Sequence, residues 1–199
     1  QAANLSLFKK LAYDPVKDFA PVARIGTTSF VLMVRADQPA KTLSEFLVQA
    51  RAQPGKLSAG FGSSGSQVSL AMLKSMGKLD VVEASYKGIP QTVTDVLGGT
   101  LSFTFVDLGN ALAQMKGGKL RGLAVTSAAR TPLAPEVPAL AEELKGYELI
   151  AWFALMAPAG TPKDIVQVIY DVATRGISKN EVREKFAAIG TDIAPLNPE

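Results

Sequence analysis

The apolar positions of this chain follow two rhythms, one of strands and one of helices. Phe19–Arg35 (FAPVARIGTTSFVLMVR) is an extended apolar stretch broken by Gly26-Thr27-Thr28. It is too long for one ordinary strand and predicts two strand segments or one bent strand. Leu43, Phe46, Leu47 and Ala50 then recur at helical spacing. Thr42-Leu43-Ser44-Glu45 in front of them fits a capping box, and Pro54-Gly55 ends the helix. Ahead of these elements, Gln1–Phe19 reads as a short amphipathic piece followed by the turn Tyr13-Asp14-Pro15.

A unit of short strand, polar loop and helix follows, repeated in kind though not in sequence. Leu57–Phe61 leads through Gly62-Ser63-Ser64-Gly65 into a helix near Ser66–Met76, whose inward face would carry Val68, Met72 and Met76. Val81–Ser85 leads through Tyr86-Lys87-Gly88 into a helix from Pro90 to Leu97, stopped by Gly98-Gly99. Leu101–Val106 alternates, with Leu101, Phe103 and Phe105 on one face, and passes through Asp107 into a helix near Gly109–Met115, stopped by Gly117-Gly118. Alternating strands and helices predict an α/β fold with a largely parallel sheet.

Leu120–Thr126 reads as a further strand, Thr131–Pro138 as a loop and the apolar Leu149–Ala157 as a buried strand. Thr161-Pro162-Lys163-Asp164 places Pro at the first position of a helix behind a Thr cap, with the helix running to about Ile177. Ser178-Lys179-Asn180-Glu181 fits a second capping box, before a helix burying Val182, Phe186 and Ile189.

Composition removes whole classes of chemistry. The chain has neither Cys nor His, which excludes Ser-His-Asp hydrolysis, Cys nucleophiles and nearly all zinc sites. Its 21 basic and 18 acidic residues are scattered, with no cluster to follow a phosphate backbone, so nucleic acid is not an expected partner. The apolar run around Leu149–Pro158 falls short of the roughly 18 residues a membrane helix needs. Gln1–Lys10 shows no apolar core followed by a small-residue cleavage site, so no signal peptide is read there.

The strand-to-helix loops are the candidate site. If their strands lie parallel in one sheet, the loops emerge together at its carboxyl edge. Each then ends at a helix N-terminus, whose unpaired amides favour an anion. Gly62-Ser63-Ser64-Gly65-Ser66 is the best of these loops, although its serines would equally serve as helix caps. Asp107 has capping as its simplest role and reception of a ligand hydroxyl, ammonium group or water as the alternative. Lys87 offers a counter-charge but has the ordinary role of a solvated side chain, and Tyr86, Phe103 and Trp152 read first as core. Gly60, Gly62 and Gly65 also satisfy the G-x-G-x-x-G spacing of dinucleotide-binding folds, with Asp80 or Glu83 near the place of a ribose-binding acid. A dinucleotide-dependent oxidoreductase using Gly60–Gly65 is therefore the enzymatic alternative.

The segments YDPVKDFAPVARI (13–25), GFGSSGSQ (60–67), ASYKGIPQTVTDVLGG (84–99), KLRGLAVTSAARTPLAPEVPALAE (119–142) and WFALMAPAGTPKDIV (152–166) resemble, in order and spacing, the Bug-type receptors of tripartite tricarboxylate transporters. The resemblance implies a class II periplasmic-binding-protein fold: two α/β lobes joined by crossing strands, closing without catalysis on a dicarboxylate, tricarboxylate or amino acid. One lobe would span 36–149, and 1–35 with 150–199 would belong to the other. Carried over by position, the ligand-binding residues would be Ser63, Ser64, Gly65, Ser66, Gln67, Gly88, Gln91, Thr92 and Asp107, with no cofactor and no metal. The implied partners are a small carboxylate and a membrane permease, and the implied compartment is the periplasm. The family normally begins with a half-lobe that this chain lacks, which leaves one lobe incomplete. A dimer covering that missing half, or a lobe fragment without a transport role, is the other expectation. Many relatives carry His where this chain has Ser69, and Gln67 replaces a small residue, so ligand identity does not transfer.

Overall fold

The computed structural model describes residues 9–197. Residues 1–8 of the amphipathic opening read from Gln1 lie outside them. The chain forms two compact units, residues 28–151 and the combination of residues up to 27 with those from 152 onward. β1 (Phe19–Arg35) and β6 (Ile150–Pro158) each carry the chain from one unit into the other.

In the 28–151 unit the strand order is β3 (Val81–Ser85), β2 (Leu57–Phe61), β4 (Phe103–Asp107), β1, β5 (Leu120–Val125). β2 is parallel to β3, with Phe61 beside Ser85, and to β4, with Gly60 beside Thr104. β1 runs against β4 and β5, with Phe30 beside Asp107 and Val31 beside Val125. The sheet is thus largely parallel with one reversed strand, and the ends of β3, β2, β4 and β5 share an edge with the residues where β1 enters.

The run Phe30–Val34 is apolar at every position because the sheet is covered on both faces. Phe30, Leu32 and Val34 join one core with α1 (Leu43–Ala52), α2 (Ser64–Gly77) and Tyr147. Val31 and Met33 join a second with α3 (Ile89–Leu97) and α4 (Leu108–Lys116). β1 itself is one continuous strand with irregularities at Arg24/Gly26 and Leu32/Met33, so the bent-strand alternative is the one realised. The capping box at Thr42 forms as expected, and Leu43, Phe46, Leu47 and Ala50 are buried. Gly99 and Gly118, at positive φ of 80° and 70°, end α3 and α4 where the double glycines stand.

Two expected faces are corrected. α2 buries Ser66, Ser69, Leu70, Leu73 and Gly77, whereas Val68, Met72 and Met76 are only half-buried. The two hydroxyls that turn inward find hydrogen-bond partners there, which rotates the helix away from its purely apolar stripe. Phe103 and Phe105 share a core, but Leu101 precedes the strand and packs in the other one.

The second unit holds the first part of β1, β7 (Asp192–Leu196), α5 (Lys163–Ile177) and α6 (Asn180–Ala188), and β6 and β7 both pair with β1. Gly26 is required at the β1–β7 contact, since a Cβ there would lie 2.6 Å from the Asp192 carbonyl oxygen. Both hydrophobic core clusters belong to the other unit. Here β6 is exposed rather than buried, with Trp152 and Phe153 each 49% accessible, and α6 buries none of its residues, Val182 and Phe186 included. Ile189 beyond it is exposed too. Neither expected cap forms: Thr161 Oγ1 donates to the Pro158 carbonyl (2.7 Å) and Ser178 Oγ donates to the Thr174 carbonyl (2.7 Å). Pro162 and Lys179 stand at the cap positions instead.

Candidate functional site: the loop edge of the 28–151 unit

The first loop is built around Ser66, which is fully buried. Its Oγ accepts from the amides of Gly62 (3.1 Å) and Ser63 (3.0 Å) and donates to the Ser63 carbonyl (2.9 Å). Ser63 Oγ accepts from the Ser66 amide (3.1 Å) in return, a reciprocal box that starts α2. This leaves the amides of Ser64 and Gly65 without a protein acceptor, on an exposed and a half-buried residue respectively. They are the groups here that can receive an anion.

The loop is held from below at Gly65. A Cβ on Gly65 would lie 2.2 Å from Phe30 Cζ, so the Phe30 ring occupies the space any side chain would need. Ser69 Oγ donates to the Gly65 carbonyl (2.8 Å), and the buried Tyr147 hydroxyl donates to the Ser69 carbonyl (2.8 Å). Burial pushes the Tyr147 phenol above its ordinary range and keeps it a neutral donor. Ser69, which stands where many relatives have His, is thus a packing and positioning group.

The second loop abuts the first, backbone to backbone. A Cβ on Gly62 would lie 2.2 Å from the Gly88 carbonyl carbon and 2.4 Å from the Ile89 nitrogen. Gly88 caps α3 with no side chain, Gln91 is exposed on the first turn, and the amides of both lack protein acceptors. Tyr86 ties this loop down, its hydroxyl donating to Asp95 Oδ2 (2.5 Å), and that carboxylate raises the phenol pKa. Lys87 is exposed. The third loop follows β4, where Asp107 caps α4 by accepting from the Asn110 amide (3.2 Å) and its side-chain nitrogen (3.0 Å).

The structure therefore brings Ser63, Ser64, Gly65, Gly88, Gln91 and Asp107 to one edge and turns two of the nine sequence-derived residues inward. Thr92 is fully buried, its hydroxyl donating to the Ile89 carbonyl (2.8 Å) and lying 2.9 Å from Thr104 Oγ1. Ser66 is likewise committed to the protein. Gln67 is half-buried on the first turn, its amide spent on the Ser63 carbonyl (3.0 Å). Phe30 and Thr126 also belong to this edge and went unnoticed in the sequence. Phe30 is hidden in an apolar strand, and Thr126 reads there as the last residue of one.

The dinucleotide spacing has a packing explanation. Gly60 faces Leu101, Gly62 faces Gly88 and Gly65 faces Phe30, so each close approach is made to the protein itself. Glu83 forms an ion pair with Lys74. Among the described residues no cluster of metal-ligating side chains occurs.

Two units joined by crossing strands, with helix-start loops gathered on one sheet edge, define the architecture of a periplasmic binding protein. The sequence model described as tripartite tricarboxylate transporter family receptor matches residues 2–198, and the chain belongs to that family. It is 30% identical to Protein BugT of Bordetella pertussis over 205 residues, covering all of this chain and 62% of that protein. A solved structure of R. palustris Rpa4515 with adipate matches with a TM-score of 0.88 at 28% identity, over 96% of this chain and 65% of that one. MatC (Rpa3494) from Rhodopseudomonas palustris with bound malate matches with a TM-score of 0.82 at 30% identity, over 96% of this chain and 66% of that one. The chain spans 56% to 62% of the length of the curated relatives first matched.

Proposed function

We propose that this chain is part of a periplasmic solute receptor that captures a small dicarboxylate at the loop edge of the 28–151 unit for a membrane permease. The observation that carries the reading is the pair of helix starts locked together through Gly62 and Gly88, with the amides of Ser64, Gly65, Gly88 and Gln91 left unsatisfied beside one another. Such amides stabilise a carboxylate without an acid–base pair, which suits binding rather than catalysis. That adipate and malate, both diacids, are bound by structural neighbours supports the same ligand class. The lobe division at 36–149 and the contact roles of Ser63, Ser64, Gly65, Gly88, Gln91 and Asp107 are parts of this proposal. Adding adipate or malate to the 15N-labelled chain should move the amide resonances of Ser64, Gly65, Gly88 and Gln91 saturably, with calorimetry giving the affinity. If neither diacid moves them, or sodium chloride at matched ionic strength moves them equally, the reading is wrong.

The other unit supplies the partner part of the proposal. Ile165, Val168, Ile169 and Val172 recur at i, i+3, i+4 and i+7 on α5, yet each is at least 39% exposed. A stripe at that spacing is ordinarily the core-facing side of a helix. We assign it to packing against the portion of the lobe that relatives carry beyond the matched region. Light scattering of the 199-residue chain should return a monomer that binds a hydrophobic dye, and Ile165→Lys with Val168→Lys should abolish the dye signal. A stable dimer that these substitutions dissociate would show that a second copy covers the stripe instead.

A further inference from the structure

Thr126 spends every polar group it has on two segments of chain. Its Oγ1 accepts from the Phe30 amide (2.8 Å) and donates to the Leu149 carbonyl (2.8 Å). Its amide donates to the Phe30 carbonyl (2.9 Å), and its carbonyl accepts from the Leu149 amide (2.8 Å). Thr126 is fully buried and Phe30 nearly so, at 6% exposure. These are the two places where the chain is about to leave the 28–151 unit, Phe30 near the boundary within β1 and Leu149 just before β6. Phe30 in turn fills the space under Gly65, whose amide is one of the free anion-receiving groups.

We propose that Thr126 is a positioning residue for the loop edge: it locks the two departing strands together and, through the Phe30 ring, sets the height of the Gly62–Ser66 loop. The inference rests on the binding role assigned to that loop but is read independently of any ligand. The side chain must both accept and donate at one atom, which a hydroxyl does and an aliphatic group of the same shape does not. Thr126→Val keeps the volume and leaves the Phe30 amide and Leu149 carbonyl without their side-chain partner. Thr126→Ser keeps both bonds.

The test is amide NMR of the ligand-free chain. In Thr126→Val the Ser64 and Gly65 resonances should shift in the direction seen for Phe30→Leu, while those of α1 stay in place; Thr126→Ser should return them close to wild type. Adipate binding should weaken roughly 2- to 30-fold in Thr126→Val, the range of couplings carried through packed networks. A purely structural Thr126 would lower the denaturation midpoint and leave Ser64 and Gly65 where they are, and that result overturns the proposal. Should Thr126→Val not fold, native-state hydrogen exchange of the wild type decides: Phe30, Thr126 and Leu149 amides must open together in one slow class, and separate fast exchange refutes the clamp. If the wild type binds no diacid but the loop resonances respond as stated, only the ligand assignment falls.

Discussion

Replacing Ser66 by Ala and Ser64 by Ala separates the two jobs that serines do in the first loop. Ser66 Oγ accepts two backbone amides and donates to one carbonyl from a fully buried position. Each neutral hydrogen bond contributes about 0.5–1.5 kcal/mol net, and loss of an N-terminal cap typically costs about 1 kcal/mol. The Gly62 and Ser63 amides freed in Ser66→Ala are not deeply buried, so water recovers part of the loss. The expected cost is therefore about 1–2 kcal/mol, not the sum of three bonds. Ser64 is exposed and its hydroxyl touches no partner, which puts Ser64→Ala within about 0.5 kcal/mol of wild type. Urea denaturation of both variants, monitored by circular dichroism and analysed at a common m-value, measures the difference. Ser64→Ala should then weaken diacid binding severalfold with stability intact. A Ser66→Ala chain as stable as wild type, or a Ser64→Ala chain as damaged as Ser66→Ala, would refute the division of labour drawn here.

Gly62→Ala should be more damaging than either, by about 2 kcal/mol or more, because its new methyl would meet the Gly88 backbone at 2.2 Å and backbone yields less readily than a side-chain tip; a midpoint within error of wild type would mean the loops are not in contact. Glu142 is held at a pKa of about 2 by the Arg130 guanidinium (Nε–Oε1 2.8 Å, Nη2–Oε2 2.9 Å) and then by the Ala139 amide. Its folded value lies below its unfolded one, so its contribution is complete above about pH 4.5 and fades as the pH falls toward 2. Carbon-detected titration of Glu142 should show that low midpoint in the wild type and a rise toward the ordinary value in Arg130→Met, and a midpoint near 4.5 in the wild type would contradict the geometry.

The sequence was most informative where a local rule and the tertiary context agree. Thr42 and Glu45 form their box, the double glycines stop their helices, and the three loops after β2, β3 and β4 reach one edge because parallel neighbours must end together. It misled where a local rule had a competitor. Thr161 and Ser178 look like caps, but each hydroxyl donates instead to a carbonyl in the preceding turn. Val182, Phe186 and Ile189 are spaced for burial, yet no core lies opposite them among the described residues.

The family, the α/β class and the loop glycines were determined by sequence alone, since each depends on short-range order: strand period, helix starts and the absence of side chains at fixed positions. Which serine is free and which is spent was decided only by tertiary structure. Ser64 and Ser66 are chemically identical and two residues apart, and α2 turns one to solvent and the other inward beneath its own first turn. Thr126 gains its place in the same way, because its partners Phe30 and Leu149 are remote in sequence and meet it only once β1 pairs with β5 and the chain returns toward β6. Hydrogen bonds between distant segments leave no periodicity to read, and it is these bonds that set the height of the anion-receiving loop.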